Sequence, residues 1–150
     1  MMRKVKIQPA QPEQIPLLAA LARQSFSDPW SEQLFAEALA SPYTKIWTAM
    51  DGTQLTGYLV LQQLGAEQSV DDLAVSPAWR GQQIATQLLE AAHQAFPNCD
   101  FILEVRESNQ AARNLYQKLG YLQDGYRKRY YQNPPEAAIL MRKAAQSQSN

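Results

Sequence analysis

The sequence predicts a mixed α/β fold, a central sheet of about seven strands flanked by about four helices. Three observations predict it. Strand-like runs recur along the chain, either alternating or short and apolar. Between them lie stretches with apolar residues at helical spacing. The two kinds interleave as strand, two helices, three strands, helix, strand, helix, two strands. A chain of 150 residues suits one domain with an unstapled core. That domain is expected over residues 1–143. The polar tail 144–150 lacks apolar anchors and is expected to be disordered.

The elements follow in order. Lys4 to Gln8 alternates as a first strand. Ile15, Leu18, Leu21 and Ala22 have helical spacing, and Pro12 and Pro16 sit where a first turn tolerates proline. Ser31 suits the N-cap of a second helix, with Trp30 and Phe35 spaced as a hydrophobic staple and Pro42 beyond its end. Lys45 to Met50 and Gln54 to Gln62 flank Asp51-Gly52, a hairpin signal. Ser69 to Val75 is a third run, closed by Pro77. Arg80 to Phe96 reads as the most regular helix, with Ile84, Leu88, Ala92 and Ala95 on one stripe. Asp100 to Val105 is a buried-strand pattern. Ser108-Asn109 opens a helix that Gly120 stops. Tyr121 to Tyr131 and Ala137 to Met141 are the last strands.

Composition removes several classes of function. Lys plus Arg and Asp plus Glu are each 14, so a basic surface over the whole fold is absent and direct nucleic-acid binding is not expected. Cys99 is the sole cysteine, which excludes an internal disulfide and a multi-thiolate zinc site; no metal is expected. His93 is the sole histidine and has no G-x-S-x-G partner, so it reads as a solvated or rim residue rather than a catalytic one. The charged N-terminus lacks the apolar stretch of a signal peptide, and no run reaches a membrane span. A cytoplasmic protein, free of membranes and acting as a monomer, is expected.

Three segments could carry chemistry. Val75 to Thr86 reads as strand, glycine-bearing loop and helix start. A helix N-terminus binds phosphate because its free N–H groups and its dipole point the same way, and Arg80 could add a charged contact. The segment has neither G-x-G-x-x-G nor G-x-x-x-x-G-K-S/T, and taken alone it reads rather as an ordinary strand-to-helix loop. Glu104 lies between Leu103 and Val105 in an apolar strand, where a carboxylate serves either a function or an ion pair, for instance with Arg106. Tyr116 beside Leu115 and Leu119 fits a core position with its hydroxyl at the rim.

Together these segments resemble one family. Leu73 to Ala85 is similar to the acetyl-CoA motif of GNAT N-acetyltransferases, Q/R-x-x-G-x-G/A, with Arg80 to Ala85 in its place. Leu103-Glu104-Val105-Arg106, Ser108-Asn109, Leu115-Tyr116 and Gly120-Tyr121 match, without gaps, the signature of the RimI group within that family. Pro29-Trp30-Ser31 and the run Arg127 to Tyr131 resemble its early and late segments. Three positions depart from the pattern. Gln83 stands at a motif glycine, Asp72 at a usual asparagine and Ala137 at a usual acidic residue. Gln83 serves as well as glycine only if its backbone needs no positive φ.

The resemblance implies a GNAT-type domain and direct acetyl transfer from acetyl-CoA. It implies that Leu73, Ala74 and Val75 hold the pantetheine arm. Arg80, Gly81, Gln82, Gln83, Ile84, Ala85 and Thr86 would cradle the pyrophosphate, and Asn109 would meet the cofactor near its reactive end. Glu104 is implied as general base and Tyr116 as general acid. Trp30, Tyr130 and Tyr131, with Phe35, are implied as walls for the substrate. The implied substrate is a protein N-terminus, the N-terminal alanine of small-subunit ribosomal protein number eighteen. Other protein N-termini, a small-molecule amine, or a non-catalytic acyl-CoA-binding module are the alternatives. An α-amine, with a pKa of about 7.7–8.0, suits a single carboxylate base better than lysine at about 10.4.

Overall fold

The computed structural model describes residues 3–132 and 134–146. Seven strands form one mixed sheet: β1 (Lys6–Pro9), β2 (Thr44–Asp51), β3 (Gln54–Leu64), β4 (Glu67–Val75), β5 (Asp100–Arg106), β6 (Leu122–Tyr131) and β7 (Glu136–Lys143). Their order is β1-β2-β3-β4-β5-β7-β6. β4 and β5 are parallel, while β5–β7 and β6–β7 are antiparallel. Four helices accompany them: α1 (Ile15–Ser25), α2 (Glu32–Ala40), α3 (Ile84–Ala95) and α4 (Gln110–Lys118). The interleaving expected from the sequence is the one observed. By its contacts the chain divides into two compact units, Met1–Gln62 with Asp71–Ala95, and Gln63–Val70 with Phe96–Asn150.

In the first unit, α1 and α2 supply Leu18, Leu21, Ala22, Phe35 and Ala38 to a core that also takes Ile46, Tyr58 and Val60 from the strands. Ser31 caps α2, its hydroxyl accepting the Leu34 N–H at 3.2 Å. The staple forms as well, with the Trp30 and Phe35 rings 5.2 Å apart. Phe35 is fully buried, so it belongs to the core and not to a substrate wall; Trp30 is partly exposed. The β2–β3 hairpin closes at Asp51↔Gln54 around Gly52.

Two expectations for α3 need correction. The helix starts at Ile84 and not at Arg80, because Gly81 and Gln83 both take left-handed conformations that cannot continue a right-handed helix. His93 is buried and not at a rim. It lies four residues after Leu89, which carries it onto the helix's buried face.

In the second unit, Phe101, Leu103 and Val105 of β5 are buried with Ala138, Ile139 and Met141 of β7. Arg142 ties this sheet together by pairing with Glu67 at 2.6 Å, Asp100 at 3.0 Å and Asp124 at 3.2 Å. Both ends of α4 are capped. Asn109 Oδ1 accepts the Ala112 N–H at 3.1 Å. At the other end Gly120 takes φ 100°, its N–H donates to Gln117, and the Tyr121 N–H donates to Tyr116. This double bond is a Schellman motif, and the Tyr116 and Tyr121 rings meet at 5.4 Å as its apolar contact. Of the tail expected from residue 144, Ala145 donates to Asp100 Oδ1 and Gln146 to the Pro97 carbonyl, each at 2.8 Å. Residues 147–150 lie outside the described residues. Among the described residues no helix is long and apolar enough to cross a membrane.

Candidate active site

The phosphate-type segment lies in the first unit. Strand β4 ends in Leu73, Ala74 and Val75, and the Ser76 N–H then donates to the Thr56 carbonyl at 2.8 Å. A 3-10 turn over Pro77–Trp79 follows. Gly57 of β3 fixes the approach: a Cβ there would stand 2.9 Å from the Ala74 oxygen and 3.0 Å from Ile84 Cγ2. Strand end and helix start are therefore held against the same backbone atom.

Between them the loop bends twice through left-handed conformations, Gly81 at φ 77° and Gln83 at φ 61°. Backbone of this kind gathers N–H groups into an anion-binding concavity. A Cβ at Gly81 would meet nothing within 4 Å, so the loop is open there. Ile84, Ala85 and Thr86 begin α3, whose first N–H groups have no acceptor within the helix. Arg80 is exposed beside them. This set fits a pyrophosphate. Gln83 does need a positive φ, a conformation costing a side-chain-bearing residue about 1–2 kcal/mol.

The loop is also braced by groups with no local signal in the sequence. Gln87 Nε2 donates to the Arg3 carbonyl at 2.7 Å across 84 positions, and the Arg3 N–H donates to Gln82 at 3.3 Å. The Arg3 guanidinium lies 4.2 Å over the Trp79 ring. A further pair, Tyr58 and Asp72, was equally hidden. The Tyr58 hydroxyl donates to Asp72 Oδ2 at 2.8 Å. Burial pushes the Asp72 carboxyl up to about 6, against the opposing hydrogen bonds from Tyr58 and the Leu73 N–H. Burial, then the Asp72 charge, push the Tyr58 phenol well above its ordinary range.

The carboxylate and the aromatic residues lie in the second unit. Pairing of β5 with β4 runs from Glu67↔Asp100 to Val70↔Leu103, and Glu104 comes one residue later. Leu103 and Val105 are buried while Glu104 is exposed, as alternation along a strand requires. Its ion-pair partner is Arg127 of β6, at 3.9 Å. Arg106, suggested by the sequence, instead pairs with Glu136 at 3.2 Å. Hydrogen bonds from Ser108 and Arg106 hold the Glu136 carboxyl below the usual carboxylate range.

Around Glu104 the side chains form a stack. Arg127 lies 5.4 Å over Tyr130, the Tyr130 and Tyr131 rings are 5.1 Å apart, and Arg106 lies 4.5 Å over Tyr131. Burial, then the Glu104 charge, push the Tyr131 phenol up to about 12, so its hydroxyl stays protonated across the neutral range. Register with β7 slips between Arg127 and Tyr131, where Arg129 takes φ 53°, a strained conformation for a non-glycine residue. Ala137 is buried, its carbonyl accepting the Glu107 N–H. The structure thus brings Glu104, Tyr130 and Tyr131 together. Tyr116 is buried in its own contact with Tyr121, and the Asn109 oxygen is engaged in capping α4. Among the described residues no group of three or more His, Cys, Asp or Glu could hold a metal ion.

Residues 15–121 match the acetyltransferase (GNAT) family. The N-alpha-acetyltransferase RimI of Mycobacterium tuberculosis is 35% identical over 131 residues, covering 83% of each chain. A ribosomal protein bS18-alanine N-acetyltransferase of Haemophilus ducreyi is 33% identical over 120 residues, covering 75% of this chain and 81% of its own. The crystal structure of the Escherichia coli ribosomal-protein-S18-alanine N-acetyltransferase superimposes with a TM-score of 0.88 at 24% identity, covering 97% of this chain and 96% of its own. A match over most of the chain, on the strand, loop and helix just described, shows that this protein belongs to the GNAT acetyltransferase family, within its RimI group.

Proposed function

We propose that this protein transfers the acetyl group of acetyl-CoA to the α-amine of a protein N-terminus, with the N-terminal alanine of ribosomal protein bS18 as its substrate. The substrate comes from what its relatives are named for acting on. The reaction is cytoplasmic, and the partner is a protein rather than a nucleic acid. The observation that carries the chemistry is Glu104, the exposed carboxylate between buried neighbours on β5, surrounded by Arg127, Tyr130 and Tyr131.

Acetyl-CoA supplies an acetyl group on a thioester, whose thiolate is a good leaving group. The chain's residues do the rest. The backbone of Leu73, Ala74 and Val75 holds the pantetheine arm, and the N–H groups of Gly81 to Thr86, with Arg80, hold the pyrophosphate. Asn109 reaches the cofactor through its amide nitrogen, since its oxygen already accepts from Ala112. Glu104 takes one proton from the substrate ammonium, through a water, leaving a neutral amine. As the C–N bond forms and the C–S bond breaks, the Tyr116 hydroxyl gives a proton to the departing sulfur, and the surplus proton on the new amide nitrogen leaves through water and restores the Tyr116 hydroxyl. Tyr131, kept protonated, donates a hydrogen bond to the incoming peptide, with Tyr130 beside it; Trp30 is assigned to the substrate on the family resemblance alone. Ala137, uncharged, leaves later basic positions of the peptide weakly discriminated.

Glu104→Gln tests this reading. The change is nearly isosteric, so cofactor binding should persist by calorimetry. Turnover should fall by about 10²–10³, a usual share for a general base, and the acidic limb of the rate profile should flatten. Turnover equal to the parent's would leave Glu104 as an ion-pair residue only.

A further inference from the structure

Gln83 keeps a left-handed φ of 61°, which a side-chain-bearing residue holds only where its surroundings enforce it. Part of that enforcement is local. The Gln87 N–H donates to the Gln83 carbonyl at 3.0 Å, the hydrogen bond that opens α3. The rest comes from the segment before β1. The Arg3 N–H donates to the Gln82 carbonyl at 3.3 Å. The Gln87 side-chain amide then grips the same segment twice, Nε2 donating to the Arg3 carbonyl at 2.7 Å and Oε1 accepting the Val5 N–H at 3.5 Å. The Arg3 guanidinium lies 4.2 Å over the ring of buried Trp79 and 3.6 Å from the Asp51 carboxylate. Residues 3–5 are thus a strap fastened on both sides of the double bend, to Trp79 before it and to Gln87 after it. All of these groups belong to the first unit.

The strap sets the direction of two donors. A trans peptide points its oxygen and its N–H in opposite directions. The Arg3 N–H holds the oxygen of the Gln82–Gln83 peptide, and the Gln87 N–H holds the oxygen of the Gln83–Ile84 peptide. With both oxygens engaged, the Gln83 and Ile84 N–H groups are turned away from their clamps, and a helix start leaves such donors without an intrahelical acceptor. They are two of the donors assigned above to the pyrophosphate. If the strap were released, the Gln82–Gln83 peptide would be free to turn, Gln83 would relax toward negative φ, and the two N–H groups would no longer converge.

We propose that Gln87 is a positioning residue of the cofactor site, which clamps the strap of residues 3–5 so that the Gln83 and Ile84 N–H groups are aimed at the pyrophosphate before acetyl-CoA arrives. The inference rests on the assignment of this loop to acetyl-CoA and adds to it a residue outside the loop. The ordering cost is met in the free protein, so the cofactor binds more tightly than it would to an unbraced loop. The effect belongs to the pyrophosphate alone, because the strap holds no group assigned to the pantetheine arm.

Two variants divide the strap. Gln87→Met keeps side-chain length and helix preference but removes both side-chain hydrogen bonds. Arg3→Ala keeps the backbone hydrogen bonds and removes the contacts to Trp79 and Asp51. Calorimetry gives the Kd for acetyl-CoA. Steady-state kinetics on an alanine-ended peptide then compares acetyl-CoA with S-acetylpantetheine, the same thioester arm ending before the pyrophosphate. Gln87→Met is expected to raise the acetyl-CoA Kd by about 3–10-fold, the order of one lost hydrogen bond, and to lower by a similar factor the ratio of kcat/KM for acetyl-CoA to that for S-acetylpantetheine. Arg3→Ala should act in the same direction by roughly 2–3-fold, the order of an exposed ion pair and a ring contact. An unchanged acetyl-CoA Kd in Gln87→Met, or a donor ratio equal to the parent's, overturns the inference while the acetyl-transfer reading stands. If Gln87→Met does not fold, the Kd of Arg3→Ala decides in its place. A parent protein that binds acetyl-CoA but acetylates no peptide overturns the acetyl-transfer reading and leaves the Kd values to decide the inference. A parent that binds no acetyl-CoA overturns both.

Discussion

The segment around α4 and the segment from β4 to α3 make opposite use of local preference. At α4 each residue suits its place. Asparagine sits at the N-cap, glycine at the left-handed C′ position, and a tyrosine pair closes the Schellman turn. Between β4 and α3 two residues do not suit theirs. Gln83 carries a side chain at φ 61°, and Asp72 carries a charge that burial opposes. Agreement at every level builds a scaffold, whereas local conflict of this kind collects at functional sites. Substitutions at α4 should therefore destabilise, and substitutions toward the family pattern near β4 and α3 should stabilise.

The largest stabilising effect is expected from Asp72→Asn. The folded-state pKa of Asp72 is raised to about 6, above an ordinary carboxylate, so the folded protein holds this proton more tightly than the unfolded chain does. Stability is then lost as pH rises from about 4 through 6, because ionisation is harder in the folded state. Asp72→Asn should raise stability by about 1–3 kcal/mol at pH 7–8 and leave it nearly unchanged at pH 4, as read by urea unfolding at both pH values. A gain independent of pH would show that the charge is not the cause.

The next effect has the opposite sign. Gly120→Ala puts a Cβ at φ 100°, where only glycine is at ease; the space itself is adequate, with the Lys143 side chain 3.6 Å away. A loss of about 1–2 kcal/mol is expected, seen as a Tm lower by roughly 3–6 °C. An unchanged Tm would mean that the α4 end tolerates local conflict after all.

The smallest effect is expected from Gln83→Gly. Relief of the left-handed conformation exceeds the extra freedom given to the unfolded chain, for a net gain of about 0.5–1 kcal/mol. A loop already at ease should also bind acetyl-CoA more tightly by calorimetry. Weaker binding would show that the Gln83 side chain itself holds the cofactor.

The same contrast explains what the sequence made legible. Asn109, Gly120, Ser31 and Trp30 act on neighbours three to five positions away, so their roles could be read directly from spacing. The start of α3 was misplaced by four residues because glutamine gives no sign of the left-handed turn it makes at 83. His93 was placed at a rim because a polar residue on an apolar face does not announce its burial. The Glu104 candidate stood out as a carboxylate in an apolar strand. Its partner Arg127 did not, since β7 lies between β5 and β6 in the sheet and only the assembled register brings the two together. The role of Arg3 and the pairing of Tyr58 with Asp72 were missed for the same reason: each residue meets its partner only after distant segments have paired.

The most direct test of the central claim is where the acetyl group goes. The parent protein would be incubated with acetyl-CoA, an alanine-ended peptide that also contains lysine, and its N-terminally blocked twin, followed by peptide mass spectrometry. One acetyl group on the α-amine of the free peptide, with the blocked twin unmodified, is the result expected from a single carboxylate base acting on an amine of pKa about 7.7–8.0. Equal acetylation of both peptides would place the acetyl group on lysine and contradict the account, as would transfer to neither peptide.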